Sequence, residues 1–472
     1  MSERKVYLLS PKELSPEAVA VAFAKTSRSS QSFHTIAAEL TGEKSAQFHE
    51  KWVVGYGHAS VAEHAVLHIA FENVSRLAIE SIESNRLASY TEKSTRYQKW
   101  GLEDFYIPPE LDVHPLCDDY VSTCRLLFRI YADSLDSVKK LVKEKDPPRP
   151  DESEEAWDKR IRSRYMDTCR FLLPAASLAN LGMTANARSL EHAIRKMLSH
   201  PLVEVRQIGL EVKRVAQGEV PTLVKYVEPA SYLVEVSRDF GDRGRGISSL
   251  HCDDWCVLVD YDRDGEAKVL AATLYRFGNM SYHQALQAVH SAPDPERAGL
   301  ADALLGKLSS HDLPLREMEH SVYTFDIVMD QGAYAEFKRH RMMTQTPQAL
   351  TARLGYALPR LIVEAGFESR YRQAMEAAAA TYEKLAEFNP HVASYIVPNG
   401  FNRGVLFTMN LREAYHFCQL RAATNAHYSI RRVALRVAEE ICRVHPLLAK
   451  YMNQPEKEAW ENIEAQYFTA VA

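Results

Sequence analysis

The sequence lacks the long apolar runs that mark membrane and secreted proteins. No stretch approaches roughly 18 consecutive apolar residues, the length that a membrane-spanning helix requires. The first residues, MSERKVYLLSPKE, contain no apolar segment long enough for a signal peptide. We therefore expect a cytoplasmic protein that has no membrane partner.

An excess of one charge is also missing, and disulfide pairing is not indicated. The 57 lysines and arginines nearly balance the 62 aspartates and glutamates, for a net charge of −5. This balance does not favour a nucleic-acid partner, so any attraction for anions must come from local clusters. The seven cysteines are odd in number and scattered, which predicts free thiols in a reducing compartment.

Two kinds of cofactor motif are absent as well. No glycine-rich loop follows a predicted strand, so a Rossmann route to a dinucleotide is unsupported. His58, Glu63, His64 and His68 lie close together in sequence, but their order is not the His-Glu-x-x-His of zinc hydrolases. We predict no metal site, and we interpret these histidines as structural or cofactor-contacting residues.

What the sequence does contain is an internal repeat. The dipeptide Glu-His at 63–64 precedes the alternating segment AVLHIAFENV, and the same dipeptide at 319–320, 256 residues later, precedes SVYTFDIVMD. The tripeptides NAR at 186–188 and NLR at 410–412 each begin a helical pattern, 224 residues apart. A chain of 472 residues is long enough for two domains, and we expect one copy of the repeat in each.

Both copies predict an α+β fold. Alternating runs at Val66–Phe71 and Val322–Ile327 are typical of half-buried strands. Ala374–Phe388 and Leu411–Val444 have the three-to-four apolar spacing of helices and contain no glycine or proline. Strands and long helices in each copy indicate one α+β domain used twice.

The junction and one insertion can also be predicted. Pro229 interrupts the pattern after VKYVE, which divides the chain into domains 1–229 and 230–472. The offset between the copies falls from 255 residues near the basic segments described below to 224 at the helix starts, so the first copy holds 255 − 224 = 31 extra residues. We assign them to an exposed insertion at Lys143–Arg160, which is highly charged and contains three prolines.

Two related basic segments indicate anion binding. KRHRMMTQTPQALTARLGY at 338–356 is similar to SNRLASYTEKSTRYQKW at 84–100, which lacks the first two basic residues. Arginine presents a flat fork of donors that pairs with phosphate oxygens, so such segments suit a nucleotide. A solvated face is the alternative for any basic run. We expect Arg431, Arg432 and Arg436 to form a solvated or inter-domain face of this kind.

The order Arg-His-Arg, a spacer, a hydroxyl residue, one residue and a further arginine resembles the signature of the flavin-dependent thymidylate synthases (ThyX). Other segments resemble that family in order: GHASVAEH, DFYIPPEL, RFLLP and NARSLEH in the first copy, and EMEHSVYTF, VPNGF and NLREAYHFCQLRAATNAHYSIRR in the second. The resemblance implies two ThyX-like domains, each a twisted antiparallel sheet with packed helices. It further implies that FAD transfers a methylene group from methylenetetrahydrofolate to dUMP and supplies hydride to give dTMP, with NADPH as the reductant.

The resemblance also implies roles for residues of both copies. The substrate-binding residues are Glu92, Ser94, Arg96, Arg170 and Arg421. Arg421 and Ser94 belong to the catalytic centre, Arg421 to stabilise charge on the uracil ring and Ser94 as a binding hydroxyl. The cofactor-binding residues are His58, Arg339, His340, Arg341, Asn186, Arg188, Asn410 and Arg412.

Neither copy carries the whole signature, and the deficits are complementary. In the first copy, Ser-Asn at 84–85 replaces Arg-His, and Lys196 or Met197 stands at the later arginine. In the second copy, Pro314 replaces the histidine of the GHAS segment and Ser394 replaces the arginine of RFLLP. We predict a composite site between unlike halves, in a homodimer that forms a four-domain pseudo-tetramer with two working sites.

Two alternatives stay open. Glu336 and Ser81 stand where the family usually offers glutamine to the nucleotide, which is compatible with a flavin-dependent methyl or hydroxymethyl transferase acting on another pyrimidine nucleotide. The other alternative is a protein that binds a nucleotide or flavin without turnover. Bound flavin and dTMP formation would distinguish these possibilities.

Overall fold

The structure, a computed structural model, describes residues 7, 9, 12–26, 29, 31–55, 58–244, 254–309, 311–452 and 458–470. The strands in chain order are β1 Val66–Ser75, β2 Ala88–Glu92, β3 Leu178–Asn186, β4 Cys256–Tyr261, β5 Val322–Asp330, β6 Thr344–Pro347, β7 Leu358–Pro359, β8 Asn402–Asn410 and β9 Phe468–Ala470. The helices are α1 Pro16–Thr26, α2 Phe33–Ala38, α3 Gly42–His49, α4 Arg76–Ile82, α5 Cys117–Lys145, α6 Glu154–Cys169, α7 Ala187–Leu198, α8 Val203–Glu219, α9 Ser231–Gly244, α10 Gly265–Phe277, α11 Tyr282–Ser291, α12 Asp294–Leu305, α13 Gln331–Phe337, α14 Arg360–Glu364, α15 Glu368–Phe388, α16 Pro390–Ala393, α17 Leu411–Arg421, α18 Tyr428–Val444, α19 Pro446–Ala449 and α20 Trp460–Tyr467. Within the described ranges, every helix is too short or too polar to cross a bilayer.

The chain divides into two compact units. The first unit comprises Met1–Ser94, Asp104–Cys117 and Ala176–Ser249, and the second comprises Thr95–Glu103, Asp118–Ala175 and Leu250–Ala472. Each unit contains its own antiparallel sheet with helices, so the predicted α+β class is confirmed. The predicted boundary between residues 229 and 230 separates the two sequence repeats, whereas these units combine segments from both sides of it. The division into domains 1–229 and 230–472 stays a prediction.

The sheet of the first unit has the strand order β1-β3-β2, with both pairs antiparallel. Along β1, Leu67, Ile69 and Phe71 are buried and the residues between them are exposed. Successive side chains of a strand point to opposite faces, so the alternation seen in the sequence covers one face of this sheet. Burial of each of these side chains is worth about 1.5–3 kcal/mol.

The sheet of the second unit has the order β4-β5-β8-β6 and is also antiparallel. Tyr323, Phe325 and Ile327 of β5 are buried in the same alternation. The Phe325 ring stacks on Phe407 of β8 with a centroid distance of 5.2 Å. Aromatic pairs between neighbouring strands add about 0.2–1 kcal/mol each to the sheet.

The repeat read from the sequence is also a repeat of strand register. β1 pairs with β3 starting from Val66 and Asn186, and β5 pairs with β8 starting from Val322 and Asn410. These starting points are separated by the offsets of 256 and 224 residues found in the sequence. Both asparagines then cap the following helix, because each side-chain oxygen accepts the backbone N–H three residues later at 2.9 Å.

The single long helix predicted over Leu411–Val444 is wrong. α17 ends at Arg421 and α18 begins at Tyr428. His427 starts the second helix, because its Nδ1 accepts the Ser429 backbone N–H at 3.0 Å. Such a side-chain cap competes with continuation of the preceding helix. The break leaves Arg421 at a helix end.

The predicted helix over Ala374–Phe388 lies within α15. The insertion predicted at Lys143–Arg160 spans the end of α5, a loop and the start of α6. Arg160 fixes the loop by donating to Asp146 at 2.7 Å and to Glu152 at 2.8 Å. α6 has 16 residues, whereas α16 at the corresponding place in the second repeat has 4. The extra residues therefore lengthen a helix as well as a loop.

Two arginines of α18 do not form the solvated face expected from the sequence. Arg431 and Arg432 are 5% and 6% exposed. Arg431 pairs with Glu458, and Arg432 pairs with Glu464 at 2.8 Å. The Arg432 guanidinium also lies 3.7 Å from the centroid of the Trp255 ring. Because buried charges require partners, these contacts explain how α18 accommodates both residues.

Candidate functional site

Charged residues from both repeats meet within the second unit. Arg96 and Arg170 come from the first repeat, whereas Glu336, His340 and Arg421 come from the second. Arg96 lies in a turn, Arg170 begins a 3-10 turn directly after α6, Glu336 lies in α13, and Arg421 ends α17. These five residues are termed the arginine cluster.

Arg170 lies in the interior and is 4% exposed. Its Nη1 donates to Thr95 Oγ1 at 3.3 Å. Its Nη2 donates to Glu336 Oε1 at 3.2 Å and to the Gly332 carbonyl oxygen at 3.4 Å. Its Nε finds no acceptor among the described residues. A buried donor without a partner is unfavourable, so a ligand oxygen at this position would stabilise the site.

Glu336 joins two arginines through its two carboxylate oxygens. Oε1 accepts from Arg170 at 3.2 Å, and Oε2 accepts from Arg421 Nη1 at 3.1 Å. Burial alone would raise the pKa of Glu336, but the surrounding arginines lower it below its ordinary value. Glu336 is therefore an ionised group that can only accept hydrogen bonds.

A chain of hydrogen bonds fixes the orientation of Arg421. Its Nε donates to His340 Nε2 at 2.9 Å, and His340 Nδ1 lies 3.0 Å from Glu413 Oε1. Because Nε2 accepts, the proton of the neutral ring belongs on Nδ1, which donates to Glu413. Burial lowers the pKa of His340 and so favours this neutral form. Burial likewise lowers the pKa of Arg421.

Arg96 forms a two-bond pair with Asp167. Its Nε and Nη2 each donate to a carboxylate oxygen of Asp167 at 2.8 Å, and its Nη1 donates to the Asn425 carbonyl oxygen at 3.1 Å. Burial opposes both charges, and the hydrogen bonds to Asp167 raise the pKa of Arg96 above its ordinary value. The parallel geometry is the one in which an arginine fork also binds phosphate.

Two of the predicted substrate residues, Glu92 and Ser94, belong to the first unit rather than to the unit that holds the cluster. The Glu92 side chain is 2% exposed and accepts from Arg76 Nη1 at 2.7 Å. Ser94 is half-buried in the loop after β2. The hydroxyl that contacts Arg170 is that of the next residue, Thr95.

The other two residues of the basic triplet flank His340. Arg339 is exposed and Arg341 is half-buried. The positive charge of Arg339 contributes to the lowered pKa of Glu336 and to that of Arg421. Arg339 therefore adds to the positive potential of the cluster.

The remaining predicted cofactor residues form matching structures in the two units. Asn186 and Asn410 are the helix caps described above. Arg188 pairs with Glu63 in the first unit. In the second unit Arg412 pairs with Glu319 at 3.2 Å and donates to the Pro314 carbonyl oxygen at 2.9 Å. These ion pairs occupy equivalent positions of the repeat.

His58 lines a cavity of about 580 Å³ in the first unit. Phe23, Phe48, Trp52 and His64 are among the other lining residues. The rings of His58 and Trp52 have centroids 6.1 Å apart. Aromatic walls with a few polar groups suit a flat ring system.

Sequence reasoning missed three residues that contact the arginine cluster. Thr95, Asp167 and Glu413 supply a hydroxyl, the partner of Arg96 and the partner of His340. Each of them had a weak local signal, because Thr95 follows Ser94 and Glu413 follows the NLR tripeptide directly. For Asp167, the signal was a carboxylate three residues before the RFLLP arginine.

Together, the fold and the cluster define an α+β protein with two related sheets and an arginine-rich site suited to a phosphorylated ligand. Over residues 9–222 and 257–447 the chain matches the family described as thymidylate synthase complementing protein, and it belongs to this family. The match in two regions confirms the family resemblance and the two-domain α+β architecture predicted from the sequence.

Individual relatives are of two kinds. A UPF0159 protein of Chlamydia muridarum is 31% identical over 433 residues, which are 88% of this chain and 82% of that protein. A UPF0159 protein of Thermoplasma acidophilum is 27% identical over 449 residues, which are 86% of this chain and 88% of that protein. A flavin-dependent thymidylate synthase of Sulfurisphaera tokodaii is 31% identical over 210 residues, which are 41% of this chain and 76% of that protein.

Proposed function

We propose that this protein is a flavin-dependent thymidylate synthase that converts dUMP to dTMP, with methylenetetrahydrofolate as the carbon donor and NADPH as the reductant. The observation that carries the proposal is the arginine cluster. Arg96, Arg170 and Arg421 belong to one unit although neither repeat supplies all three. Membership of the thymidylate synthase complementing family supports the reaction class.

The first-repeat arginines are suited to hold the phosphate of dUMP. Arg170 has a buried Nε that lacks an acceptor among the described residues, and Arg96 presents a fork already aligned by Asp167. A phosphate dianion would share these forks with the two buried carboxylates of the site. Ser94 and Thr95 offer hydroxyls for the same end of the nucleotide, and Glu92 would position the loop that carries them.

Arg421 is suited to the uracil ring. Its Nε and Nη1 are engaged by His340 and Glu336, so its orientation is fixed before a ligand arrives. No described hydrogen bond uses Nη2, and we infer that this group donates to the uracil carbonyl as negative charge develops there. Removal of one such preorganised donor typically costs about 3 kcal/mol of transition-state stabilisation.

Residues of each unit, taken separately, suit parts of FAD. In the first unit, the aromatic cavity beside His58 suits a flat flavin ring. In the second unit, the charges of Arg339 and Arg341 suit a pyrophosphate. His340, Asn186, Arg188, Asn410 and Arg412 complete the proposed cofactor residues. FAD when bound would supply the transfer of the one-carbon unit and the hydride that reduces it, with NADPH restoring the reduced cofactor. The contribution of the chain is orientation and charge.

One observation favours a second candidate function. Glu336 is an acceptor-only carboxylate, where the family usually offers a glutamine that can both donate and accept. A carboxylate there accepts equally well from the N3–H of uracil and from the exocyclic amino group of cytosine. A methyl or hydroxymethyl transferase acting on another pyrimidine nucleotide is therefore the second candidate. Binding of nucleotide or flavin without turnover is the outcome if neither substrate reacts.

We also propose the assembly and number of the sites. If each site requires residues of both repeats, a homodimer with four domains has two working composite sites. The homodimer and the cytoplasmic location remain predictions from the sequence.

The proposal is tested with the purified full-length chain. Its visible spectrum is recorded for bound flavin, and it is then supplied with dUMP, methylenetetrahydrofolate and NADPH. We expect a yellow protein that forms dTMP. A yellow protein that converts dCMP and not dUMP would support the second candidate, and a colourless protein that takes up no FAD would contradict both.

A further inference from the structure

A cavity of the second unit includes one residue of the arginine cluster, Arg96, in its wall. Its volume is about 620 Å³, within the range of small-molecule sites. Arg96 and Asp167 line it, whereas Arg170, Glu336 and Arg421 are not among its lining residues. The cavity therefore shares Arg96 with the arginine cluster but extends away from the other cluster residues, with the Arg96–Asp167 pair forming part of its wall.

Part of the cavity wall comes from segments that the two repeats do not share. Lys145 and Arg164 line the cavity from the end of α5 and from α6, which is the long helix added to the first repeat. Gln466 and Tyr467 line it from α20, which lies beyond residue 447, where the family match ends. Two separate additions to the duplicated plan thus meet at one cavity, which indicates a role that the repeats alone do not have.

The lining contains more basic than acidic residues. The five basic lining residues are Arg96, Lys145, Arg164, Arg360 and Arg431, and the two acidic ones are Asp167 and Glu364. Lys145 and Arg164 are exposed, whereas Arg431 is buried. Four of the five form ion pairs: Arg96 with Asp167, Lys145 with Glu364 at 2.6 Å, Arg164 with Asp146 at 2.9 Å and Arg431 with Glu458. Because five basic residues face four acidic partners, an excess of positive charge remains, which favours small anions.

Two of these arginines have donor capacity that the surrounding carboxylates do not use. Arg360 donates to the carbonyl oxygens of Ala465 and Phe468 at 3.1 and 2.8 Å, so its described partners leave its charge unneutralised. Arg431 pairs with Glu458, yet its buried Nε has no acceptor among the described residues. Each guanidinium can therefore donate to an anion without first giving up all its present hydrogen bonds.

We propose that this cavity binds a small polyanion carrying phosphate or carboxylate groups, and that the bound anion weakens nucleotide binding at the arginine cluster. The coupling rests on the proposed function, whereas the binding does not. An anion in the cavity competes with the cluster for the positive charge of Arg96, which contributes to the lowered pKa of Glu336. By linkage, the nucleotide weakens anion binding by the same factor.

Calorimetric titration of the full-length protein with inorganic tripolyphosphate tests the binding. We expect saturable binding that weakens about tenfold or more in Lys145→Gln and in Arg360→Gln, because each loses a charge-assisted contact. Arg372→Gln is the matched control, since Arg372 is exposed, pairs with Glu368 at 2.8 Å and does not line the cavity. It should bind as the wild type does.

The Arg421→Ala variant separates the two sites. Retained tripolyphosphate binding in this variant supports a separate cavity site. Loss of binding in Arg421→Ala with normal binding in Lys145→Gln and Arg360→Gln would mean that the anion occupies the nucleotide site, and would overturn the proposal. Absence of saturable binding in the wild type would also overturn it. Binding that persists in a protein that makes no dTMP leaves the cavity site intact while contradicting the proposed function.

Two further ligands distinguish the sources of the anion. Tighter binding of dTTP than of tripolyphosphate supports a nucleotide, and displacement of tripolyphosphate by an oligo-γ-glutamate supports a polycarboxylate tail. For the coupling, tripolyphosphate at a concentration close to the wild-type Kd should weaken dUMP binding in the wild type and have a clearly smaller effect in Lys145→Gln at the same concentration. An unchanged dUMP affinity in the wild type would overturn the coupling.

Discussion

The turns at 84–86 and 339–341 occupy equivalent places in the two units, and their chemistry differs. In the first unit, Lys196 Nζ donates to the Ser84 hydroxyl at 2.7 Å, and the Asn85 side chain donates to the Ile82 carbonyl oxygen at 3.0 Å. In the second unit, His340 accepts from Arg421 and pairs with Glu413. The first turn is held by two polar contacts, whereas the second is held by a hydrogen-bonded chain from Arg421 through the neutral His340 ring to Glu413.

At the later arginines of the two basic segments, it is the first segment that has the more buried charged residue. Arg96 forms its pair with Asp167 inside the second unit, and its side chain is 17% exposed. Arg353, its counterpart in the repeat, pairs with Glu383 and is 61% exposed. Surface pairs of this kind contribute about 0–1 kcal/mol. The two repeats thus have similar sheets, while the arginine cluster contains different residues from each repeat.

The largest expected difference is in the free energy of unfolding, between a variant of Arg170 and a variant of its counterpart Ser394. Arg170→Met leaves the buried Glu336 with one arginine fewer, and removal of one partner of a buried pair is expected to cost about 3–5 kcal/mol in free energy of unfolding. Ser394→Ala removes one hydrogen bond, to the Leu350 carbonyl oxygen at 2.9 Å, and should cost about 1 kcal/mol. Urea unfolding of both variants gives the comparison. Equal losses would contradict a special role for Arg170.

The second comparison concerns the rate of dTMP formation. It uses equivalent helices of the two units, α7 after β3 and α17 after β8. Arg421→Ala should lower the rate of dTMP formation about 100- to 1,000-fold, because one preorganised donor is lost. Lys196→Ala, at the nearest position of the first unit, removes the contact to Ser84 and should leave the rate within a factor of about two. Steady-state assays with dUMP measure both. A comparable loss in the two variants would contradict the assignment of the site to the second unit.

A smaller effect is the pH dependence that His340 adds to stability. Because burial holds its pKa below the ordinary value of 6.5, the unfolded chain binds a proton first as the pH falls. Stability is therefore lost from pH 6.5 downwards until the lower folded pKa is reached, by at most about 1.4 kcal/mol per pH unit for one group. His340→Asn, which copies Asn85, should remove this part of the slope. An unchanged slope in urea titrations between pH 7.5 and pH 5.5 would contradict it.

The smallest expected effect is the loss of a helix cap, which should lower the free energy of unfolding equally in both units. Asn186→Ala and Asn410→Ala each remove a cap that accepts a backbone N–H at 2.9 Å, and each should cost about 1 kcal/mol in free energy of unfolding. Urea unfolding of the two single variants measures this symmetry. Losses that differ by more than about 1 kcal/mol would mean that the shared frame has also diverged.

Features with a local cause could be predicted from the sequence. The strands that begin at Val66 and Val322 follow from alternation, and the caps at Asn186 and Asn410 follow from their position before helical patterns. The helix break after Arg421 could not be predicted from periodicity, because the apolar spacing continues through 422–427 without glycine or proline. A histidine cap decided that boundary.

The partners of the charged residues had no local signal strong enough to identify them. Asp167 reaches Arg96 across 71 residues of sequence, and Glu413 reaches His340 across 73. Such pairs depend on tertiary packing, which periodicity does not encode. The resemblance selected the arginines, but it did not supply the carboxylates that hold them. The ion pair of Arg353 with Glu383 could not be predicted from the sequence for the same reason.

We predict that the two repeats together form one nucleotide site per chain. Calorimetric titration of the flavin-loaded protein with dUMP counts the sites directly. We predict one dUMP bound per chain, with binding lost in Arg421→Ala and retained in Lys196→Ala. Two equivalent dUMP molecules per chain, or full binding by Arg421→Ala, would contradict the account.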